Sequence, residues 1–196
     1  QPIPFAQPVE TSRAEIPDAG FALATTAAGF GSVRLSPLHG ALVAAIVANG
    51  GVFVPPEVVA SSDGAVARPA EAPRRVLDER VAAELAAMMR TTVTEGTART
   101  AFRPPRSRSS SLRGLTVAGK TGSLSEQDPF RDYSWFVGFA PADNPKVAFA
   151  VVVVNERNWR VKAPAVARAA VEAWGDWQSG RAETVAAAPR ARARRH

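Results

Sequence analysis

Gly114-Leu115-Thr116-Val117-Ala118-Gly119-Lys120-Thr121-Gly122-Ser123 decides the fold, because its letters fit two incompatible structures. Up to Thr121 they match G-x-x-x-x-G-K-T, the glycine-rich loop whose main-chain N–H groups cradle phosphate. That chemistry needs a hydrophobic strand leading into the first glycine and a helix beginning at the lysine. Arg108-Ser109-Ser110-Ser111-Leu112-Arg113 before it is no strand, and Gly122–Pro129 after it offers no amphipathic helix. Inside the supposed loop, Leu115, Val117 and Gly119 alternate with Thr116, Ala118 and Lys120. This two-residue period predicts a strand over Leu115–Gly122, and leaves a nucleotide-binding loop as the remote alternative.

Two further strands are predicted beyond it, Ser134–Phe139 and Val147–Val154, the last pair joined by the tight Pro141-Ala142-Asp143-Asn144-Pro145 connection. Runs this closely spaced form an antiparallel meander. Val147–Val154 is apolar on both faces and so reads as a central strand covered on both sides. Glu126–Asp132 reads as the loop between the first two strands.

Upstream, Ser36 is an N-cap with Pro37 at the first helical position, and Leu38, Ala41, Leu42, Ala45 and Ile46 recur at helical spacing until Asn49-Gly50-Gly51 stops the helix. Val52–Val59 reads as a short strand interrupted by Pro55-Pro56. A second helix starts from an Asp78 cap, carries Val81, Leu85, Met88 and Met89, and ends before Gly96, with the methionine pair as core filler. A last helix, Ala163–Trp177, places Val166, Ala170, Val171 and Trp174 on one stripe. The expected architecture is α+β, an antiparallel sheet flanked by helices. Its organisation is an extended, proline-bearing segment at 1–20, one folded unit at 21–177 and a basic, disordered tail at 178–196, with a polar loop at 103–113.

The chain has 196 residues, 46% of them hydrophobic, which excludes wholesale disorder. The longest apolar runs, Ala41–Ala48 and Val147–Val154, are well short of the ~20 residues a spanning helix needs. With no cysteine and two histidines, His39 and His196, there is no thiolate chemistry and little for a metal site or a Ser-His-Asp triad, so neither metal nor cofactor is expected. The net charge of +6 is uneven. Residues 99–113 contribute five arginines and no acid, and 181–196 a net +4, which leaves the remainder at −3. These basic stretches read as a solvated loop and a frayed terminus, and no nucleic-acid partner is expected.

On a strand, Lys120-Thr121-Gly122 offers main-chain groups to a peptide laid beside it. Gly122 lets another backbone come close. Thr121 and Ser123 point to one face, so two hydroxyls can hold one carboxylate, and Lys120 adds a positive charge that raises the acidity of a neighbouring hydroxyl. Lys-Thr-Gly is also one of three motifs of penicillin-binding proteins and class A β-lactamases.

Its surroundings strengthen the likeness, in order along the chain. Gly29-Phe30-Gly31-Ser32-Val33-Arg34-Leu35-Ser36-Pro37-Leu38 is similar to that family's G-x-G-x-v-x-x-T-P-L entry to a helix, and Ala48-Asn49-Gly50-Gly51 to its A-N-G-G stop, with Val54-Pro55-Pro56 after it. Glu95-Gly96-Thr97-Ala98 resembles its G-T-A turn, Lys120–Ser123 its K-T-G-T, and Trp135-Phe136-Val137-Gly138-Phe139-Ala140-Pro141 its W-F-x-G-F-x-P strand. From about Ala22 to Asn155 the chain therefore resembles the C-terminal part of a penicillin-binding protein transpeptidase domain, of the serine D,D-peptidase family.

The resemblance implies a peptidoglycan D,D-transpeptidase, acting outside the cytoplasmic membrane and acylated by β-lactams. In that family a serine attacks the penultimate D-Ala carbonyl of a stem peptide, releases the terminal D-Ala and passes the acyl group to an amine. Carried over, Lys120, Thr121, Gly122 and Ser123 bind the D-Ala-D-Ala end or the β-lactam carboxylate. Lys120 and Ser123 are also the catalytic candidates, and the Ser123 N–H is one oxyanion donor.

The departure is equally informative. The family's nucleophile lies in S-x-x-K and its second motif is S-x-N; no serine here has lysine three residues on or asparagine two residues on. The chain is expected to be a piece of something longer, inactive alone. Its expected partner is the N-terminal half that bears both motifs, and its membrane anchor is expected outside it. A β-lactamase or β-lactam-sensor domain and a non-catalytic interaction module remain as alternatives. His39 reads as a helix-surface residue, and Trp135 as an aromatic packed at the sheet margin.

Overall fold

Two side-chain caps set the frame of this chain. Ser36 Oγ accepts from the His39 N–H at 3.2 Å, and Asp78 Oδ1 accepts from the N–H groups of Arg80 and Val81 at 2.8 and 3.4 Å. Both occupy first-turn donors that have no partner inside a helix. The computed structural model describes residues 12–56, 61–62, 65–66, 72–103, 114–157 and 161–180. In order these hold β1 (Arg13–Ala14), α1 (Gly20–Ala27), β2 (Val33–Arg34), α2 (Pro37–Ala48), β3 (Val52–Phe53), β4 (Ser61–Ser62), β5 (Ala65–Val66), β6 (Arg74–Arg75), α3 (Glu79–Thr94), β7 (Ala118–Gln127), β8 (Phe130–Ala140), β9 (Val147–Asn155) and α4 (Ala163–Gln178).

The predicted meander is present as a three-stranded antiparallel sheet of order β7-β8-β9, beside three two-residue pairs, β1–β2, β3–β6 and β4–β5. Three expectations are corrected. The motif strand starts at Ala118 rather than Leu115 and runs to Gln127. The expected loop at Glu126–Asp132 is the tip of a hairpin, with the ladder continuing through Ser125↔Asp132, Glu126↔Arg131 and Gln127↔Phe130 across an Asp128-Pro129 turn. Among the described residues β8, not β9, is the central strand, although β9 is packed by α2 on one side and α4 on the other.

One face of the sheet carries Phe136 and Ala140, which share a core cluster with Ala163, Ala167 and Val171 of α4, and with Val93 and Ala98. The other face carries Ala118 and Phe139, clustered with Val47, Leu85, Ala86 and Met89. Helix α2 lies so close to this face that a Cβ on Gly40 would come within 3.2 Å of Val137 and 3.3 Å of Ala150. Its buried residues are Gly40, Ala44 and Val47, while the expected Leu38, Ala41, Leu42, Ala45 and Ile46 are half-buried. At the end of α2, Gly51 takes φ +92°, and a side chain there would overlap the Leu77 carbonyl.

The stripes of α3 and α4 match those expected in part, with Leu85, Met89 and Val171 packed in the core. Val81, Met88 and Val166 are exposed, Met88 at 59%, so only Met89 of the methionine pair fills the core. Helix α1, within the unit expected at 21–177, has no counterpart in the sequence reading; it buries none of its residues. The rest of the Val52–Val59 strand beyond Pro56, most of the 103–113 loop, residues 1–11 and the tail from 181 lie outside the described residues. Among those described, no helix is long and apolar enough to cross a membrane.

Candidate functional site

The Lys-Thr-Gly segment is built from β7's cross-strand partners. Lys120 pairs with Val137, Thr121 with Phe136, Gly122 with Trp135 and Ser123 with Ser134. Because side chains alternate along a strand, Thr121 and Ser123 share one face while Lys120 and Gly122 share the other. The strand enters this segment from the core: Ala118 is fully buried, and a Cβ on the preceding-face Gly119 would overlap the Phe136 ring. Lys120 and Ser123 are exposed, and Thr121 and Gly122 half-buried. Among the described residues no strand pairs with the outer edge of β7, which leaves alternate main-chain groups for another extended chain.

Lys120 Nζ donates to the Thr121 carbonyl at 2.7 Å. Thr121 Oγ1 lies 2.7 Å from Thr97 Oγ1, so the turn after α3 touches the motif strand. Gly122 has an internal role beside the expected one: a Cβ there would approach the Trp135 Cβ to 3.1 Å. Trp135 is half-buried but lies inside the central strand, between Gly122 and Val152, rather than at the sheet margin the sequence suggests. Across from Ser123, the buried Ser134 Oγ accepts from the Ala163 N–H at 2.9 Å, which fixes the start of α4 against the sheet behind the motif.

The entry to β7 is tied down by a second network. Arg90 donates to Asp143 Oδ1 at 2.6 Å and to the Ala142 carbonyl at 3.3 Å, and Thr116 Oγ1 donates to Asp143 Oδ2 at 2.9 Å. The Arg90 hydrogen bond, then that from Thr116, holds the Asp143 carboxyl below the usual aspartate range. The Tyr133 hydroxyl donates to Glu126 at 2.8 Å, and this bond raises its pKa.

Lys120 and Thr121 lie in mid-strand and the next helix begins only at Ala163, so the phosphate-loop reading fails on geometry. His39 is half-buried rather than on the surface; its Nδ1 has no hydrogen-bond partner among the described residues, and burial lowers its pKa. No three potential metal ligands cluster among the described residues. By its motif Thr97 belongs to a turn after the second helix, with no part in the site. Its contact joins positions 24 residues apart in different elements, which no local pattern reveals.

Comparison with known proteins follows the same geometry. The sequence pattern of the family described as "Penicillin binding protein transpeptidase domain" matches residues 8–172. The peptidoglycan D,D-transpeptidase PbpA of Mycobacterium tuberculosis is 34% identical over 163 residues, covering 79% of this chain and 31% of that protein. Stage V sporulation protein D of Bacillus subtilis is 28% identical over 148 residues, covering 68% of this chain and 21% of that protein. Among solved structures, penicillin-binding protein A from M. tuberculosis in its imipenem acyl-enzyme complex superposes with a TM-score of 0.66 at 32% identity, over 85% of this chain and 37% of that one. A peptidoglycan synthetase from Bifidobacterium adolescentis, at 18% identity, shares the fold with a TM-score of 0.66. The chain thus spans about a third of the length of the first of these relatives.

Proposed function

This chain belongs to the penicillin-binding protein transpeptidase family, and from that premise we propose that it forms the substrate-holding wall of a peptidoglycan D,D-transpeptidase. The observation that carries the reading is β7: an outer strand, anchored at Ala118 and Gly119, that turns the Thr121 and Ser123 hydroxyls to one face beside an exposed Lys120. Two hydroxyls two residues apart match the two oxygens of a terminal carboxylate, and Lys120 adds long-range attraction for it. A stem peptide ending in D-Ala-D-Ala, or a β-lactam in its place, lies along the open edge as an added strand. The Ser123 N–H donates to the oxygen that becomes anionic as the carbonyl is attacked.

The attacking serine, its activating lysine and the S-x-N hydroxyl come from the N-terminal part of the domain, since no serine of these 196 residues stands in either motif. The nucleophile's oxygen bonds to the penultimate D-Ala carbonyl carbon, the peptide bond breaks, and the terminal D-Ala leaves with the proton. An acceptor amine then takes the acyl group and frees the serine. The substrate lies in the cell wall, which places the site on the outer side of the cytoplasmic membrane.

A fluorescent penicillin incubated with the protein, followed by a denaturing gel and intact-mass analysis of each band, tests this. Label on a polypeptide that carries S-x-x-K, continuous or co-purifying with this chain, is the expected result, with none on the isolated 196 residues. Absence of label from every band overturns the enzymatic reading. Label on a serine of this chain overturns the division of labour.

A further inference from the structure

Thr97 is held in place as firmly as the motif it touches. Gly96 before it has no room for a side chain, since a Cβ would come within 2.9 Å of the Thr92 backbone. Its N–H donates to the Thr91 carbonyl at 2.9 Å. Ala98 after it is fully buried, donates to the Thr92 carbonyl at 3.1 Å and accepts from the N–H groups of Ala101 and Phe102. Phe102 in turn packs on Phe136, ring centroids 5.3 Å apart, under the motif strand. The core therefore fixes both the Thr97 and the Thr121 backbone, and the 2.7 Å contact between their hydroxyls is a built feature.

A hydroxyl owns one proton and two lone pairs. If Thr121 spends its proton on Thr97, it turns only lone pairs outward and repels an anion. If Thr97 donates, the Thr121 proton is free for a carboxylate, and the accepted bond makes it a stronger donor. Only the second arrangement suits an anionic ligand.

We infer that Thr97 is a positioning residue for the anionic end of the ligand: it donates to Thr121 Oγ1 and thereby commits the Thr121 hydroxyl to the carboxylate. This rests on the proposed role of β7, and it adds a residue from α3's far end to the three carried by the motif. It also makes charge selectivity a property of the hydroxyl pair as well as of Lys120. A neutral ligand end gains nothing from the relay, because it can meet Thr121 in either arrangement.

The test uses reversible binding, so that it does not depend on acylation. The isotope-labelled chain is titrated with acetyl-D-Ala-D-Ala and, separately, with the same dipeptide as its C-terminal amide, following the amide signals of Thr121, Gly122 and Ser123. The unsubstituted chain should bind the acid more tightly than the amide. Thr97→Val, equal in shape and without the hydroxyl, should weaken acid binding about tenfold and leave amide binding within about twofold. Thr97→Ser, which keeps the hydroxyl, should restore the acid preference. An equal loss for acid and amide would mean that Thr97 only supports the turn, and an unchanged acid preference in Thr97→Val would mean that the relay does no selecting; either overturns the inference. So does an unsubstituted chain without acid preference. Penicillin labelling reports separately on the enzymatic reading, which can fail while this selectivity stands.

Discussion

β7 and β9 flank the same central strand, and the two are made of different material. β9 reads Val-Ala-Phe-Ala-Val-Val-Val-Val-Asn, and helices pack on both its faces. β7 starts in the core, with Ala118 fully buried, and from Ser123 to Gln127 every residue is exposed. One strand is almost wholly scaffold. The other is scaffold for two residues and display thereafter, so the chemistry sits at the point where packing gives way to water. The contrast explains how an exposed Lys120 and Ser123 can be held at fixed spacing: their stiffness is borrowed from Gly119 over Phe136 and from Ser134 across from Ser123. A display strand needs few contacts of its own when its neighbour carries them.

The comparison is broken most severely at Phe136. Phe136→Ala removes a fully buried ring from the Phe102 and Phe149 contacts and should cost about 3–5 kcal/mol in denaturant unfolding. Gly119→Ala should cost ~1–3 kcal/mol in the parent protein and much less on the Phe136→Ala background, because the clash is with that ring. Additive losses would mean that the glycine is needed for something else.

Ser134→Ala comes next. It leaves the buried Ala163 N–H without its acceptor and should cost ~1–3 kcal/mol, read as a lower chemical midpoint at unchanged slope. If the midpoint holds, α4 is secured by packing alone.

The smallest effect concerns the staple between the two edges. Asp143 sits in the β8–β9 connection and bonds Thr116, just before β7. Its carboxyl is held below its ordinary value in the folded state, so its contribution is present above about pH 4 and disappears as pH falls through the lowered folded value. Asp143→Asn should therefore melt slightly lower than the parent near neutrality, and the two melting curves should converge in acid. A gap that widens on acidification would contradict the assigned sign.

Ser36, Asp78 and the alternation through Lys120 made the helix starts and the meander readable without coordinates, because caps and strand period are local properties. The family motifs likewise placed Lys120–Ser123. What stayed hidden was set by contact between distant segments. Helix α2 is apolar all round, so nothing in its pattern singles out Gly40, Ala44 and Val47 as the side against the sheet. Val81, Met88 and Val166 fit an apolar stripe by spacing but are exposed, and the side that packs runs through Leu85, Ala86 and Met89 on α3 and Ala167 and Val171 on α4. Glu126–Asp132 reads as a loop because most of its residues are polar, and polarity here marks a hairpin that has left the core. α1 begins without a side-chain cap and buries nothing, so it gives no signal beyond its apolar residues. Thr97 meets its partner only through the packing of β7, 24 residues further along the chain.

The β7–β8 ladder pairs ten consecutive residues without a bulge, from Ala118↔Phe139 to Gln127↔Phe130. Such a ladder behaves like a reading frame. Removing one residue near its start and re-pairing the rest would exchange the two faces, sending Lys120 toward Thr97 and both hydroxyls to the opposite side. Length changes in this protein are therefore tolerable at the Asp128-Pro129 tip, beyond the frame, or in pairs within it. A single-residue change ahead of Lys120 would preserve every letter of the motif and erase its meaning.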